Sequence, residues 1–124
     1  MRFIKEVYAH CDLPCGVYDP AQAKIEAQSV KAIMDKYAGL DDEGKTRALF
    51  IKEQRAELVK QHLWVLWTDY FKPPHLEKYP DLHTKFWMAT KQAGECKHHN
   101  DPAEGQKLLD MIDEIAVIFW ETKK

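Results

Sequence analysis

Apolar residues recur along most of the chain with the period of an α-helix, and no stretch shows the two-residue alternation of a half-buried strand. Aspartate followed by proline opens two of these segments, which suits a helix N-cap and the first helical position after it. Glycine ends the first and third of these segments, and a pair of prolines ends the second. The predicted helices run from Asp19-Pro20 to Gly39, from about Thr46 to Phe71, between Pro80 and Gly94, and from Asp101-Pro102 onward.

Each predicted helix carries one apolar face, and the faces of the first two also carry charge. The apolar faces of the last two helices are Leu82, Phe86, Ala89 and Ala93, and Leu108, Met111, Ile112, Ile115, Ile118 and Phe119. The core-facing stripes predicted for the first two are Glu26, Ser29, Val30, Ile33 and Tyr37, and Ile51, Arg55, Leu58, His62, Val65 and Asp69. A charge on such a stripe is costly unless it is paired. Glu26 and Arg55 therefore either pair across the two helices or extend to the edge of the bundle.

Short polar connections, such as LDDEGK at 40–45, join the predicted helices and favour one all-α domain, an up-down-up-down four-helix bundle. The formal net charge of −2 gives no strong field to recruit nucleic acid or an anionic membrane, so neither is an expected partner. No stretch approaches the ~20 apolar residues of a membrane span. Residues 1–9 (MRFIKEVYA) are too short and too charged for a secretory signal, so the cytoplasm is the expected compartment.

The segment before Pro20 belongs to no predicted helix and concentrates potential metal ligands in HCDLPC, residues 10–15. The thiolates of Cys11 and Cys15 are soft donors, and His10 adds an imidazole. If the chain began at His10, its amine, the amide nitrogen and thiolate of Cys11, and the thiolate of Cys15 could form a planar set of donors. That geometry suits nickel(II) or copper(II) rather than tetrahedral zinc. Without metal, the two thiols could instead form a disulfide or a redox switch.

Residues 10–23 (HCDLPCGVYDPAQA) resemble the nickel-binding hook of nickel-containing superoxide dismutases. The other similar stretches are IKEQRAEL at 51–58, LWTDYFKPPH at 66–75, EKYPDLH at 77–83 and IFWETKK at 118–124. The resemblance implies a homohexamer of four-helix-bundle subunits, each with one nickel ion that cycles between Ni(II) and Ni(III). The implied reaction converts two superoxide anions to oxygen and hydrogen peroxide.

The resemblance also implies a ligand set within the hook. His10, Cys11 and Cys15 match the nickel ligands, and the imidazole of His10 matches the axial ligand of the oxidised state. Asp12 and Pro14 match residues that shape the hook. The implied equatorial donors are the amine of His10, the amide nitrogen and thiolate of Cys11, and the thiolate of Cys15.

Further residues of the implied site come from the predicted helices. Glu26 and Arg55 match a pair that holds the axial imidazole, which favours the paired arrangement of these two charges. Tyr18 and Tyr70 match tyrosines that line the substrate approach, and Lys72 matches a lysine near the channel mouth. Restricted access would protect the metal-bound thiolates from oxidation by peroxide.

An amine ligand requires that His10 be the first residue, yet nine residues precede it. We therefore expect a maturation protease to remove a propeptide between Ala9 and His10. The expected boundaries are 1–9 for the propeptide and 10–124 for the enzyme domain, divided into the hook at 10–18 and the bundle at 19–124. The alternatives are a non-catalytic helical bundle that binds metal or senses oxidants through its thiols, and an unprocessed paralogue without activity.

The remaining potential ligands are expected to have structural roles. Cys96 is expected to be a buried or helix-flanking thiol, and His98-His99 to lie in a solvated polar loop. Lys123-Lys124 is expected to be a solvated terminus. The four tryptophans are expected in the core or at subunit interfaces. The histidines expected to hydrogen-bond or pack rather than bind metal are His62, His75 and His83.

Overall fold

The computed structural model describes residues 15–124, which fold into a ring of four long helices. The elements are α1 (Ala21–Tyr37), α2 (Asp42–Val65), a π-helical turn (Leu66–Tyr70), α3 (Pro73–Lys78), α4 (Leu82–His98) and α5 (Pro102–Glu121). Helix α1 packs against α2 and α5, and α4 packs against the same two helices. The predicted four-helix bundle is therefore confirmed. Within residues 15–124, no helix has the length and apolar character needed to cross a membrane.

Aspartates open the helices. Asp19 and Asp101 each accept a hydrogen bond from the backbone N–H two residues later, at 2.8 and 3.0 Å. Helix α2 begins four residues earlier than predicted, because Asp41 is its N-cap and accepts from the N–H of Gly44 at 2.7 Å. The residues predicted to form a polar connection therefore belong mostly to the first turn of α2.

Two predicted helix ends differ from the structure. Gly94 does not end α4, which continues to His98. A glycine inside a helix costs only about 1 kcal/mol relative to alanine, and packing can offset that amount. The second predicted helix extends to Phe71, whereas α2 ends at Val65 and a π-helical turn continues to Tyr70. Pro73 and Pro74 follow this turn and also begin the short α3, since proline suits the first helical position.

The core faces of α4 and α5 agree with the prediction, whereas those of α1 and α2 differ from it, apart from the buried Val30 of α1. Every predicted core residue of α4 and α5 is buried, except for Met111, which is half-buried. The predicted stripe of α2 is wrong by one position, and all of its members are half-buried. The side chains that α1 and α2 bury are Ala23, Ala27, Val30 and Met34, and Ala48, Lys52, Ala56, Val59 and Leu63. Alanine lets two helices approach closely but adds little to an apolar pattern. The prediction therefore followed the larger apolar residues beside these alanines and assigned the wrong face to the core.

The corrected face of α2 buries a charge that the sequence pattern did not single out. Lys52 is 1% exposed, and its ammonium donates to the carbonyl oxygen of His99 and to Oδ1 of Asn100, the latter at 2.8 Å. Burial lowers the pKa of Lys52, while the nearby Cys96 and Glu53 act in the opposite direction. The ammonium thus ties the middle of α2 to the connection that follows α4.

The tryptophans lie mainly outside the core. Trp67 packs against core residues, and its indole N–H donates to Nδ1 of His83 at 2.7 Å, so the expected hydrogen-bonding role of His83 is confirmed. The three tryptophans with exposed side chains are Trp64, Trp87 and Trp120. These three tryptophans therefore lie outside the core, and a position at a subunit interface stays a prediction for them.

Candidate metal centre

The described part of the predicted hook begins at Cys15, whose exposed thiol sulfur accepts a hydrogen bond from the N–H of Val17 at 3.5 Å. Gly16 has a φ of 72°, a left-handed conformation that glycine adopts without strain. The chain therefore turns sharply directly after the thiol. Within residues 15–124, no three His, Cys, Asp or Glu side chains cluster in a way that could hold a metal ion. The other predicted hook residues, His10, Cys11, Asp12 and Pro14, lie outside the described residues.

Beyond this turn, the chain reaches the bundle through Tyr18, which packs against Tyr70. The ring centroids are 5.4 Å apart and the ring planes are inclined by 58°. Both side chains are half-buried, and a tilted aromatic contact of this kind is favourable. The two predicted tyrosines therefore lie side by side, and one of them, Tyr18, is only three residues from Cys15 along the chain.

The π-helical turn sets the orientation of Tyr70. The N–H of Phe71 donates to the carbonyl of Leu66 at 3.1 Å, so this hydrogen bond spans five residues rather than the four of an α-helix. The backbone is extended at Phe71, whose ring is buried, while the preceding tyrosine stays half-buried. The turn therefore separates a core aromatic residue, Phe71, from Tyr70, which contacts Tyr18 instead.

Aromatic groups and the end of α5 surround Tyr70. Its ring lies 4.5 Å from that of Phe119 and is parallel to the imidazole of His75 at 5.8 Å. Its hydroxyl oxygen is 2.6 Å from Oγ1 of Thr122, and the ammonium of Lys123 is 5.1 Å from its ring centroid. Lys123 and Lys124 are both exposed, so the prediction of a solvated terminus is confirmed, and Lys123 in addition contacts the ring of Tyr70. Residues 118–124 do carry a signal, because this stretch resembles the family, but the resemblance implies no site residue within it.

Lys72 adds a positive charge two residues after Tyr70. Its exposed side chain donates to the carbonyl of Asp69 at 2.9 Å. The backbone N–H of Lys72 donates to Nδ1 of His75 at 3.0 Å, which confirms the expected hydrogen-bonding role of that histidine. Lys72 thus lies directly between the π-helical turn and α3. Its hydrogen bond to His75 fixes its backbone against the first turn of α3.

The predicted pairing of Glu26 with Arg55 is confirmed. Nη1 of the arginine donates to Oε1 of the glutamate at 3.1 Å, across the contact between α1 and α2. Both side chains lie at the flank of the bundle rather than in its core. The pair could receive an imidazole brought by the hook, but the position of His10 is not described.

The other potential ligands behave mainly as structural groups. Cys96 is fully buried in α4, and burial, reinforced by the carboxylate of Glu104, raises the pKa of its thiol to about 11. A thiol in that state is a poor metal ligand and a poor nucleophile. His98 is the last residue of α4 rather than part of a loop, and the exposed His99 lies 3.2 Å from Glu95. Both histidines are exposed, as expected.

Comparison with known proteins assigns the chain to a family. A sequence profile described as nickel-containing superoxide dismutase matches residues 5–123. The chain belongs to the nickel-containing superoxide dismutase family. The superoxide dismutase (Ni) of Streptomyces coelicolor is 64% identical over 119 residues, which cover 95% of this chain and 91% of the relative. The superoxide dismutase (Ni) of Streptomyces seoulensis is 64% identical over 120 residues, 96% of this chain and 92% of the relative.

The solved structures of nickel superoxide dismutase agree with the fold described above. A native structure matches 93% of this chain and 100% of its own chain, with 63% identity and a TM-score of 0.91. The similarity of nickel superoxide dismutases to this chain therefore extends through all four long helices. The predicted family and fold class are both confirmed.

Proposed function

We propose that the mature chain begins at His10, holds one nickel ion in its hook, and converts superoxide to oxygen and hydrogen peroxide. The observation that carries the proposal is the meeting of Tyr18 with Tyr70 directly beyond the turn at Cys15. In a chain of this family, the closeness of a candidate thiolate ligand to two packed tyrosines supports the proposed site.

The donor set of the hook fits nickel. It offers two thiolates, one backbone amide nitrogen and one terminal amine, and these donors favour a square-planar metal rather than zinc. Cys15 contributes an exposed sulfur on a tight turn, where it accepts a long hydrogen bond from the N–H of Val17. Nickel bound there would supply a Ni(II)/Ni(III) couple, which anionic donors bring within reach of superoxide.

Residues of the bundle would position the hook and control access to it. Glu26, oriented by Arg55, would accept a hydrogen bond from the imidazole of His10 and so fix the orientation of that ring. Tyr18 and Tyr70 would limit the pocket to small molecules and keep bulk peroxide from the thiolates. Asp12 and Pro14 are proposed to shape the hook itself.

Positive charge near the pocket would attract the anionic substrate despite the negative net charge of the chain. The ammonium of Lys72 lies on the segment that follows Tyr70, and that of Lys123 lies 5.1 Å from the ring of the same tyrosine. Local fields of this kind raise the association rate of small ions. We infer that these two lysines guide superoxide to the tyrosines.

The lengths of the relatives support removal of residues 1–9. The match to the native solved structure covers all of that chain and 93% of this one. Since this chain has 124 residues, the matched part is about 115 residues long, the same length as residues 10–124. The matches to the curated relatives are longer, at 119 and 120 residues. These values are consistent with a precursor whose solved form starts at the hook, and a maturation protease is the partner that such processing needs.

A comparison of two N-termini tests the proposed function. One protein would begin at His10, and the other would retain Ala9 before it. After loading with nickel, we expect one nickel per subunit and superoxide turnover approaching the diffusional range of roughly 10⁸–10⁹ M⁻¹s⁻¹ only for the first protein. Equal turnover of the two would contradict the amine ligand. Absence of nickel and turnover in both would favour a non-catalytic thiol bundle.

For the assembly, we propose a cytoplasmic homohexamer. Large apolar side chains are exposed on different helices of the subunit, including Phe50 at 67%, Trp87 at 59% and Val117 at 63%. Contacts between copies would cover such surfaces. Analytical ultracentrifugation of the nickel-loaded protein should give the mass of six subunits, and a monomer would contradict this part of the proposal.

A further inference from the structure

The last turn of α5 makes a chain of two hydrogen bonds that ends on Tyr70. The hydroxyl oxygens of Tyr70 and Thr122 are 2.6 Å apart, and Oγ1 of Thr122 is 2.5 Å from the carbonyl oxygen of Phe119. The backbone N–H of Thr122 caps α5 by bonding to preceding carbonyls, including that of Ile118 at 3.1 Å. The threonine hydroxyl is therefore held in place by the helix end.

The direction of these bonds follows from the number of protons. A carbonyl oxygen only accepts, so the hydroxyl of Thr122 must donate its single proton to Phe119. That hydroxyl then has only lone pairs to offer and must accept from Tyr70. The phenol proton of Tyr70 consequently points toward Thr122, and the phenol can offer other groups only its lone pairs.

The ring of Tyr70 has little freedom to change this arrangement. The centroid of its ring lies 4.5 Å from that of Phe119, 5.4 Å from that of Tyr18 and 5.8 Å from that of the parallel imidazole of His75. A displacement of the ring would disturb all three contacts. Rotation of the phenol hydroxyl about its Cζ–O bond is therefore the main way in which Tyr70 could present its proton to a different acceptor.

We propose that Thr122 is a positioning residue that occupies the phenol proton of Tyr70 and thereby weakens anion binding in the substrate pocket. The inference rests on the proposed function, which places Tyr70 on the path of superoxide. A phenol donates readily to small anions, and hydrogen bonds to charged partners are stronger than neutral ones. An anion retained by Tyr70 would block the next superoxide, so an occupied proton favours rapid turnover.

A structural experiment tests the hydrogen bond without nickel. The full mature chain would be labelled with [¹³Cζ]tyrosine, and the resonance of Tyr70 would be assigned by its loss in Tyr70→Phe. We expect Thr122→Val to shift this resonance, because the phenol loses its acceptor, and Thr122→Ser to leave it in place. An unchanged resonance in Thr122→Val would overturn the proposal. Thr122→Ala gives a second protein without the hydroxyl if valine disturbs folding.

A kinetic experiment on the nickel-loaded enzyme tests the consequence for anions, with azide as the probe. Thr122→Val should bind azide about fivefold more tightly, the change that one hydrogen bond of ordinary net strength produces. Thr122→Ser should retain the parent inhibition constant. In a Tyr70→Phe background the effect of Thr122→Val should vanish, since no phenol proton remains to be released.

A threonine elsewhere provides the matched control. The hydroxyl of Thr46 donates to the carbonyl of Asp42 at 3.1 Å, the same type of bond within a helix but far along α2 from the tyrosines. Thr46→Val should leave azide inhibition unchanged. An unaltered azide constant in Thr122→Val, or a shift that persists without the phenol of Tyr70, would overturn the inference. If the parent protein had neither nickel nor turnover, the proposed function would fail, and the resonance of Tyr70 would still decide whether Thr122 holds its proton.

Discussion

The carboxylate of Glu26 lies 3.1 Å from the guanidinium of Arg55 and is the more buried partner, with 18% of its side chain exposed against 40% for the arginine. A half-buried carboxylate needs a donor to offset its lost hydration. Arg55 supplies one donor and fixes the orientation of the carboxylate. A carboxylate has room for more than one donor, so Glu26 can still accept from an imidazole N–H.

The substitution Glu26→Gln should lower superoxide turnover by about tenfold or more, the usual loss when a partner of a metal-bound histidine is removed. Nickel content should stay at one per subunit, because the proposed ligands are untouched. Stability should change by about 1 kcal/mol or less, since the ion pair is only partly buried. Stopped-flow kinetics, nickel analysis and urea unfolding measure the three quantities.

A second ion pair on the same helix is the control for Glu26→Gln. Lys24 contacts Asp113 of α5 at 2.6 Å, and both side chains are nearly half exposed. Lys24→Gln should leave turnover within a factor of about two, because a surface ion pair contributes little to stability. Equal losses in Lys24→Gln and Glu26→Gln would mean that the turnover depends on the packing of α1 and not on an imidazole partner.

The thiol of Cys15 should be indispensable for nickel, and that of Cys96 should not. Cys15→Ser replaces a soft thiolate donor by a hydroxyl that stays protonated, so bound nickel should fall from one per subunit to nearly zero. Cys96→Ala should retain full nickel, because Cys96 is buried in α4. Metal analysis after gel filtration measures both proteins. Stoichiometric nickel in Cys15→Ser would rule out this residue as a ligand.

Much of the bundle could be predicted from the sequence because its local signals are strong. The aspartate–proline pairs fixed the beginnings of α1 and α5, and large apolar residues fixed the buried faces of α4 and α5. The face of α2 was displaced because its core positions include two alanines and Lys52. A buried lysine contradicts an apolar pattern, and only its partners in the connection after α4 make that position favourable.

The candidate site divides in a similar way. The pairing of Glu26 with Arg55 could be expected from charges on facing helices and from the family resemblance. The contact between Tyr70 and Thr122 could not, because it depends on a π-helical turn and on where α5 ends. Neither feature has a local pattern in the sequence, since the extra residue in the turn changes the direction of every side chain after it.

Lys72 should guide superoxide by charge. Lys72→Gln should lower kcat/KM several-fold at low ionic strength, and the difference from the parent enzyme should disappear as salt screens the charge. Lys91→Gln is the matched control, because Lys91 is an exposed lysine of α4 that stacks over Trp87, far along the chain from the tyrosines. Stopped-flow measurement over a series of salt concentrations tests the idea, which fails if the two variants show the same salt dependence.

The buried thiol of Cys96 should make the fold sensitive to alkali. Burial raises its pKa from the ordinary value of 9.0 to about 11 in the folded protein. Well below pH 9 the thiol is protonated in both states, so it adds no dependence on pH there. Between pH 9 and pH 11 the unfolded chain loses this proton while the folded protein keeps it, and the free energy of unfolding therefore falls as the pH rises.

Comparison with Cys96→Ala isolates this contribution. Lys52 acts in the opposite direction, because a lowered lysine pKa means that the folded protein loses its proton first and gains relative stability with rising pH. The difference between the two proteins removes the part of that contribution that comes from burial of Lys52 and keeps the part that comes from its interaction with Cys96. From pH 8 to pH 10.5, the parent should lose on the order of 2 kcal/mol more than Cys96→Ala, since each pKa unit corresponds to about 1.4 kcal/mol. Urea unfolding at both pH values measures this difference, and parallel losses in the two proteins would show that the thiol ionises as readily in the fold as outside it.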